Sequence, residues 1–247
     1  MNLLLTNDDG IDFPGLIELR QELASLGKTF VFAPKTEKSA TSTAITVFDD
    51  VYVEKINDTT FMVEGYPADC VNIGLHGGLI SEKIDLVISG INKGVNMGYD
   101  VLYSGTVGAA RHAYVHGYCA LSISCGHTST QANYRPVARQ VRHFMENYQD
   151  LFKKPVLLNI NIPVERPICG IKWTKLGKRI YRDSYRKSHL NDKSMLLNLG
   201  GSNLNFVEEE GTDFEAYYAG FISVTPLTLD ATDYTQLHEF LAELSTS

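Results

Sequence analysis

Short apolar runs and helical spacings take turns along the first two thirds of the chain, and that alternation predicts the fold. Residues 2–6, NLLLT, form a continuous apolar run of the kind covered on both faces in a parallel sheet. From Pro14 the period changes. Leu16, Leu19, Leu23 and Leu26 fall at helical spacing, with a proline suited to the first turn and Gly27 to the end. TFVFA (29–33) is the next buried strand, so these segments make a βαβ unit with parallel strands and a right-handed crossover. Residues 45–56 and 59–65 read as β structure joined by the turn-like Asn57-Asp58. The pattern then predicts a helix over 67–80, a strand over 84–90, a tightly packed helix of small residues over 105–117 and a strand over 119–124. A long amphipathic helix over 129–150 and a buried strand over 156–162 follow.

Strand and helix alternating in this way argue for an α/β fold built on a doubly wound, mostly parallel sheet. After Pro163 the rhythm breaks. The stretch from about 170 to 210 is polar and has no core period. It reads either as an extended excursion or β-hairpin arm that packs on another subunit, or as a long ordered loop. Residues 216–229 resume β character and 233–244 form a closing helix. The chain thus divides into a core over 1–165, an arm over 166–213 suited to oligomerisation, and a last segment over 214–247. That segment returns to the core or to a neighbouring subunit.

The bulk numbers narrow the function without naming it. A chain of 247 residues with 44% hydrophobic and 21% charged content is ordinary for a soluble globular protein. Its formal net charge of -7 argues against duplex nucleic acid as a partner, because that binding needs a basic surface to neutralise phosphates. Small anions stay open, since a helix N-terminus or a metal overrides the global sign. No apolar run approaches the ~20 residues of a membrane helix, and no cationic stretch leads into a hydrophobic one at the start. Cys70, Cys119, Cys125 and Cys169 show no CxxC spacing, which fits free thiols in a reducing cytoplasm.

Four polar clusters fall at or just beyond predicted strand ends, where open α/β sheets bind ligands. They are Asn7-Asp8-Asp9-Gly10, the stretch from Lys38 to Ser42, the stretch from Ser89 to Asn96, and Ser104-Gly105-Thr106. Two adjacent carboxylates without a counterion raise each other's pKa, and a hard divalent cation removes that conflict. Ser39 and Asn92 offer neutral oxygens from neighbouring strand ends. Solvated turn residues are the plainer reading of such a pair, and Asp12 is placed to cap the helix from Pro14. For Ser104-Gly105-Thr106, close backbone approach and free N–H groups suit a phosphate, while an ordinary serine N-cap is the alternative. Neither a Walker A loop nor a GxGxxG fingerprint is present.

TNDDGIDFPG, APKTEKS, GYPADCVNIGL, SGINKGVNMGYDVLYSGTVGAA and GTDFEAYYAGFISVTPL together closely resemble the SurE family of stationary-phase survival acid phosphatases, in order from residue 1 to about 230. The resemblance implies a Rossmann-like domain whose C-terminal β-hairpin arm exchanges between subunits in homodimers or homotetramers. It implies a 5′/3′-nucleotidase that hydrolyses nucleoside monophosphates, in some members also short polyphosphate, with one divalent ion, Mg²⁺ or Mn²⁺, per subunit. Carried over by motif, the metal ligands fall on Asp8, Asp9, Ser39 and Asn92, the first two also catalytic. The phosphate contacts fall on Asn96, Ser104, Gly105 and Thr106. Two places depart from the family pattern: Arg111-His112-Ala113 stands where a residue followed by Glu-Gly is usual, and Lys38 and Ala40 flank Ser39 where arginine and glycine are usual. His112 is then either a catalytic base or a structural histidine. An aspartyl-nucleophile phosphatase wants an acid two residues after the nucleophile, and Gly10 stands there. A nucleotide-binding sensor without turnover is the alternative from another class.

Overall fold

The computed structural model describes residues 1–127, 129–191, 193–200 and 205–244. In chain order, strand β1 (Asn2–Thr6), helix α1 (Pro14–Leu23) and strand β2 (Lys28–Pro34) are followed by the antiparallel pair β3 (Val53–Asn57) and β4 (Thr60–Val63). Then come α2 (Pro67–His76), β5 (Leu86–Lys93), α3 (Gly105–Val115), β6 (Cys119–Cys125), α4 (Arg135–Asn147) and β7 (Leu157–Ile162). The remainder holds β8 (Ile171–Trp173), β9 (Arg179–Ile180), β10 (Ser184–Asn191), β11 (Ser194–Gly200), β12 (Asn205–Phe206), α5 (Asp213–Tyr218), β13 (Ile222–Pro226) and α6 (Tyr234–Leu244).

Nine strands form one sheet in the order β3-β4-β2-β1-β5-β6-β7-β13-β8, parallel except at β3–β4 and β7–β13. The three leucines of β1 show why its sequence is apolar throughout. Leu3 and Leu5 pack towards α1 and α4, and Leu4 between them packs towards α2 and α3. Successive side chains of a strand point to opposite faces, so a strand between two helical layers needs apolar residues at both parities. The sheet runs from β1 to β2 on one side and from β1 to β5 on the other. This reversal opens the crevice at the carboxyl ends of β1 and β5, where such folds place their ligands.

Three elements differ from the sequence reading. Residues 45–52 are not a strand, because the Asp69 carboxylate takes the Thr46 amide and hydroxyl at 2.8 Å each and withdraws this stretch from any ladder. The amphipathic helix starts at Arg135 rather than 129, with Pro136 in its first turn and Asn133 Oδ1 accepting the Arg135 N–H. Residues 216–218 are helical: Thr212 Oγ1 accepts the Glu215 N–H and starts α5, burying Phe214 and Tyr217. Asp12 makes no cap for α1, whose N-cap is Phe13 with no side-chain hydrogen bond.

The polar stretch after β8 contains the β10–β11 hairpin, a two-stranded sheet separate from the main one. It exposes Leu190, Met195, Leu196, Leu197 and Leu199. Helix α6 buries none of its residues. Among the described residues, no helix is long and apolar enough to cross a membrane.

Candidate active site

The turn after β1 is rigid for a local reason. The Asn7 side chain, fully buried, donates to Gly10 O at 2.8 Å and accepts the Gly10 N–H at 3.2 Å, closing the loop that carries Asp8 and Asp9. Asp8 then meets the start of α3. Thr106 donates to it twice, from the backbone N–H at 3.0 Å and from its hydroxyl. A Cβ at Gly105 would stand 2.9 Å from Asp8 Oδ2 and 3.1 Å from Lys38 O, so only glycine lets the helix approach this closely. Ser104 is the N-cap of α3, its Oγ accepting the Val107 N–H at 3.1 Å. The Gly105 N–H has no hydrogen-bond partner among the described residues.

The second wall comes from β5. Its pairing with β6 slips between Ser89 and Asn92, a bulge that redirects the strand end. Gly90 sits there at φ +136°, and a Cβ would stand 2.3 Å from Ile123 O. Beyond the bulge, Asn92 Nδ2 donates to Gly94 O at 2.7 Å, and its Oδ1 has no hydrogen-bond partner among the described residues. The Lys93 N–H donates to Asp9 Oδ2 at 3.2 Å, and its ammonium lies 4.0 Å from Asp9 and 3.7 Å from Glu37.

These elements enclose a cavity of about 450 Å³ whose walls include Asp8, Ser39, Asn92, Asn96 and Ser104. Of the other residues singled out by sequence, Asp9, Gly105 and Thr106 are not among its lining, though each is next in the chain to a residue that is or, for Thr106, bonded to one. Asp9 is turned to Lys93, and Thr106 spends both donors on Asp8. A larger cavity, about 610 Å³ beside α4, contains none of them. His112 is elsewhere: its ring packs 4.7 Å from that of His116, which in turn meets His76, and its buried Nε2 has no hydrogen-bond partner among the described residues.

Beneath the cavity lies a buried polar floor. The Asn96 N–H donates to Asn161 Oδ1 and its Nδ2 to Ser124 Oγ, both at 2.8 Å. Asn159 and Asn161 both donate to Asn96 O. Asn159, Asn161, Ser122 and Ser124 are fully buried, and each pair shares one face of its strand. The sequence reading passed over them, although polar residues two apart in an otherwise apolar strand were the available sign. It also missed the far end of the cavity, formed by Asp100, Tyr103, Arg179 and Tyr181. Asp213 ties that end down. Its carboxylate accepts the N–H groups of Gly98 at 2.7 Å, and of Gly177 and Phe214 at 2.9 Å each.

Electrostatically, the near end is short of positive charge. Burial, then the neighbouring Asp8, push the Asp9 carboxyl up to about 6 despite the Lys93 contacts. Burial also raises Asp8, against the two bonds from Thr106. Glu37 adds a third negative charge that disfavours both carboxylates. Asp8, Ser39, whose hydroxyl donates to Glu37 at 2.7 Å, and Asn92 line the cavity with oxygen, the donor chemistry a hard divalent cation prefers, and Asp9 adjoins Asp8 in the chain. Among the described residues, no three His, Cys, Asp or Glu side chains are grouped to hold a metal by themselves.

The sequence and the fold recur in known proteins. A family model described as "Survival protein SurE" matches residues 3–183. The chain belongs to the SurE family. It is 47% identical over 247 residues to the 5′-nucleotidase SurE of Leptospira interrogans, covering 99% of this chain and 98% of that one. With the 5′-nucleotidase SurE of Leptospira biflexa it shares 45% identity over 245 residues, with 98% and 99% covered. The crystal structure of the SurE protein from Aquifex aeolicus superposes with a TM-score of 0.82 at 34% identity, covering 97% of this chain and 98% of that one. The mostly parallel sheet with flanking helices described above is therefore a SurE fold.

Proposed function

We propose that this SurE chain is a nucleotidase, a phosphoric monoester hydrolase that converts nucleoside monophosphates to nucleoside and phosphate with the help of a divalent cation. One observation carries the reading: two buried, mutually repelling carboxylates lie beside a helix N-terminus at the switch point of the sheet, and one of them, Asp8, lines a cavity large enough for a small ligand. The curated Leptospira relatives bear the name 5′-nucleotidase SurE, which agrees with it. Asp8, Asp9, Ser39 and Asn92 are the residues that would hold Mg²⁺ or Mn²⁺. When bound, such an ion polarises a phosphoryl oxygen and supplies a water of lowered pKa.

The chain's own groups do the rest. The Gly105 N–H, Ser104 and the second Asn96 N–H hold phosphoryl oxygens where charge shifts in the transition state, aided by the positive end of the α3 dipole. Thr106 fixes the Asp8 carboxylate so that it does not reorganise during the reaction. Asp9, held by the Lys93 N–H, orients the attacking water. The oligomer is a homodimer or homotetramer, a reading supported by the β10–β11 hairpin: two-stranded sheets are marginal alone, and this one exposes a row of leucines. A cytoplasmic location accords with four cysteines that form no disulfide.

Phosphate release from AMP and GMP with added Mn²⁺, compared with EDTA and with Asp8→Asn, tests the proposal. Release that both controls leave untouched refutes the cation site, and no release across a broad nucleotide panel favours a sensor. A phosphoenzyme trapped from labelled substrate would replace water attack with aspartyl attack.

A further inference from the structure

The far end of the cavity is built differently from the near end. Tyr103 is the residue immediately before the N-cap Ser104; it lines the cavity and as a residue is 59% exposed. Tyr181 arrives from the segment after β9, with ring centroids 6.1 Å apart and planes at 88°. Among the described residues, neither ring stacks face to face on another aromatic side chain.

Asp100 and Arg179 are occupied with each other. Arg179 Nε donates to Asp100 Oδ2 at 3.0 Å, its Nη2 joins the same oxygen, and its side chain is 8% exposed. The Tyr181 hydroxyl donates to Asp100 Oδ1 at 2.7 Å. These charges cancel locally and are unsuited to binding phosphate. What they accomplish is to set the Tyr181 ring beside Tyr103.

We propose that Tyr103 and Tyr181 form the nucleobase subsite, with Asp100 and Arg179 as positioning residues, and that this subsite makes the enzyme prefer nucleotides over phosphomonoesters lacking a base. The inference rests on the nucleotidase reading. Tyr103 adjoins Ser104, so the aromatic end lies at a fixed, short reach from the groups assigned to phosphate. Base–aromatic stacking tolerates any base because every base has a π-face, so the subsite selects for a base rather than for its identity.

The test uses the full-length protein with Mn²⁺ and two substrates that share a ribose 5-phosphate moiety: AMP, and ribose 5-phosphate itself. In Tyr181→Ala the preference for AMP, as the ratio of kcat/KM values, falls roughly 5- to 100-fold through a higher KM for AMP. Tyr181→Phe, which keeps the ring and loses only the bond that positions it, retains most of the preference; Tyr103→Ala lowers it. If both substrates decline in equal proportion, the tyrosines are structural and the subsite is refuted. A Tyr181→Phe variant as impaired as Tyr181→Ala also overturns stacking, since the hydroxyl would then be what matters. If the wild-type protein releases no phosphate from either substrate, the nucleotidase reading fails. Calorimetric binding then decides the subsite: it stands if Tyr181→Ala weakens AMP more than ribose 5-phosphate, and falls if both weaken alike.

Discussion

The two ends of one cavity are held by opposite means. At the near end Asp8 is gripped by a helix start, Asn7 closes its own turn, and Asn96 stands on a floor of buried asparagines and serines. Many short bonds between buried groups fix it, and each would cost free energy to break. At the far end, Tyr181 reaches the cavity on a polar segment fastened by the Asp100–Arg179 pair and by the Asp213 carboxylate. A site for charge rearrangement must be rigid before substrate arrives. A surface that only receives a ring tolerates a looser mounting.

The largest expected effect comes from the near end. Asp8→Asn should lower Mn²⁺-dependent phosphate release by on the order of 10²–10³-fold. Unchanged Mn²⁺-dependent release in Asp8→Asn would break the account of this pair.

Asp213→Ala comes next. It leaves the Gly98, Gly177 and Phe214 N–H groups without their acceptor and should cost about 3 kcal/mol in urea unfolding. Asp213→Asn, which keeps one oxygen, should cost clearly less. Thr106→Val should reduce activity by roughly 10- to 100-fold and cost about 1.5–3 kcal/mol of stability, since its hydroxyl is bonded to the buried Asp8 carboxylate and orients it. Equal kcat/KM in Thr106→Val and wild type would show that the helix grip on Asp8 is dispensable.

The pH dependence is a smaller effect and its sign is definite. Asp9 binds a proton more tightly when folded, at about 6, than at its ordinary 3.8. The folded state therefore holds more protons, and stability is lost as pH rises through this window. In EDTA the loss between pH 4 and 6 should be about 2 kcal/mol, or roughly 4–8 °C in Tm. Asp9→Asn should flatten that slope, and calorimetry across the window measures both.

Ala40→Gly gives the smallest shift. Ala40 is held at φ +58°, in the left-handed region where glycine is unstrained. Relief of that strain, less the extra chain entropy of glycine, should raise Tm by about 1–2 °C.

The same contrast explains how much was legible in the sequence. The leucines of β1 and the pair Asp8-Asp9 announce a buried strand and its functional end within a few residues. Ser104-Gly105-Thr106 likewise marked a helix start, and Ser104 does cap it. The partners that complete the picture are remote. Thr106 meets Asp8 across 98 positions, Arg179 meets Asp100 across 79, and Asp213 meets Gly98 across 115. No local period records such pairings. The segment around Arg179 and Tyr181 lacked any core pattern because its side chains serve the cavity mouth rather than a hydrophobic layer. Tyr217 and Tyr218 misled in the other direction, since aromatic residues favour strands until a cap such as Thr212 overrides them.

Gly105 carries a consequence for how this protein can vary. A methyl group there would stand 2.9 Å from a carboxylate oxygen that two bonds hold in place, and would crowd the Lys38 carbonyl at 3.1 Å. In a library covering every substitution at every position, residue 105 should be blank under any growth condition that requires the enzyme. Its neighbour Tyr103, by contrast, should accept other flat rings. A map of tolerance along these three residues would run from permissive to closed within the span of a single helical turn.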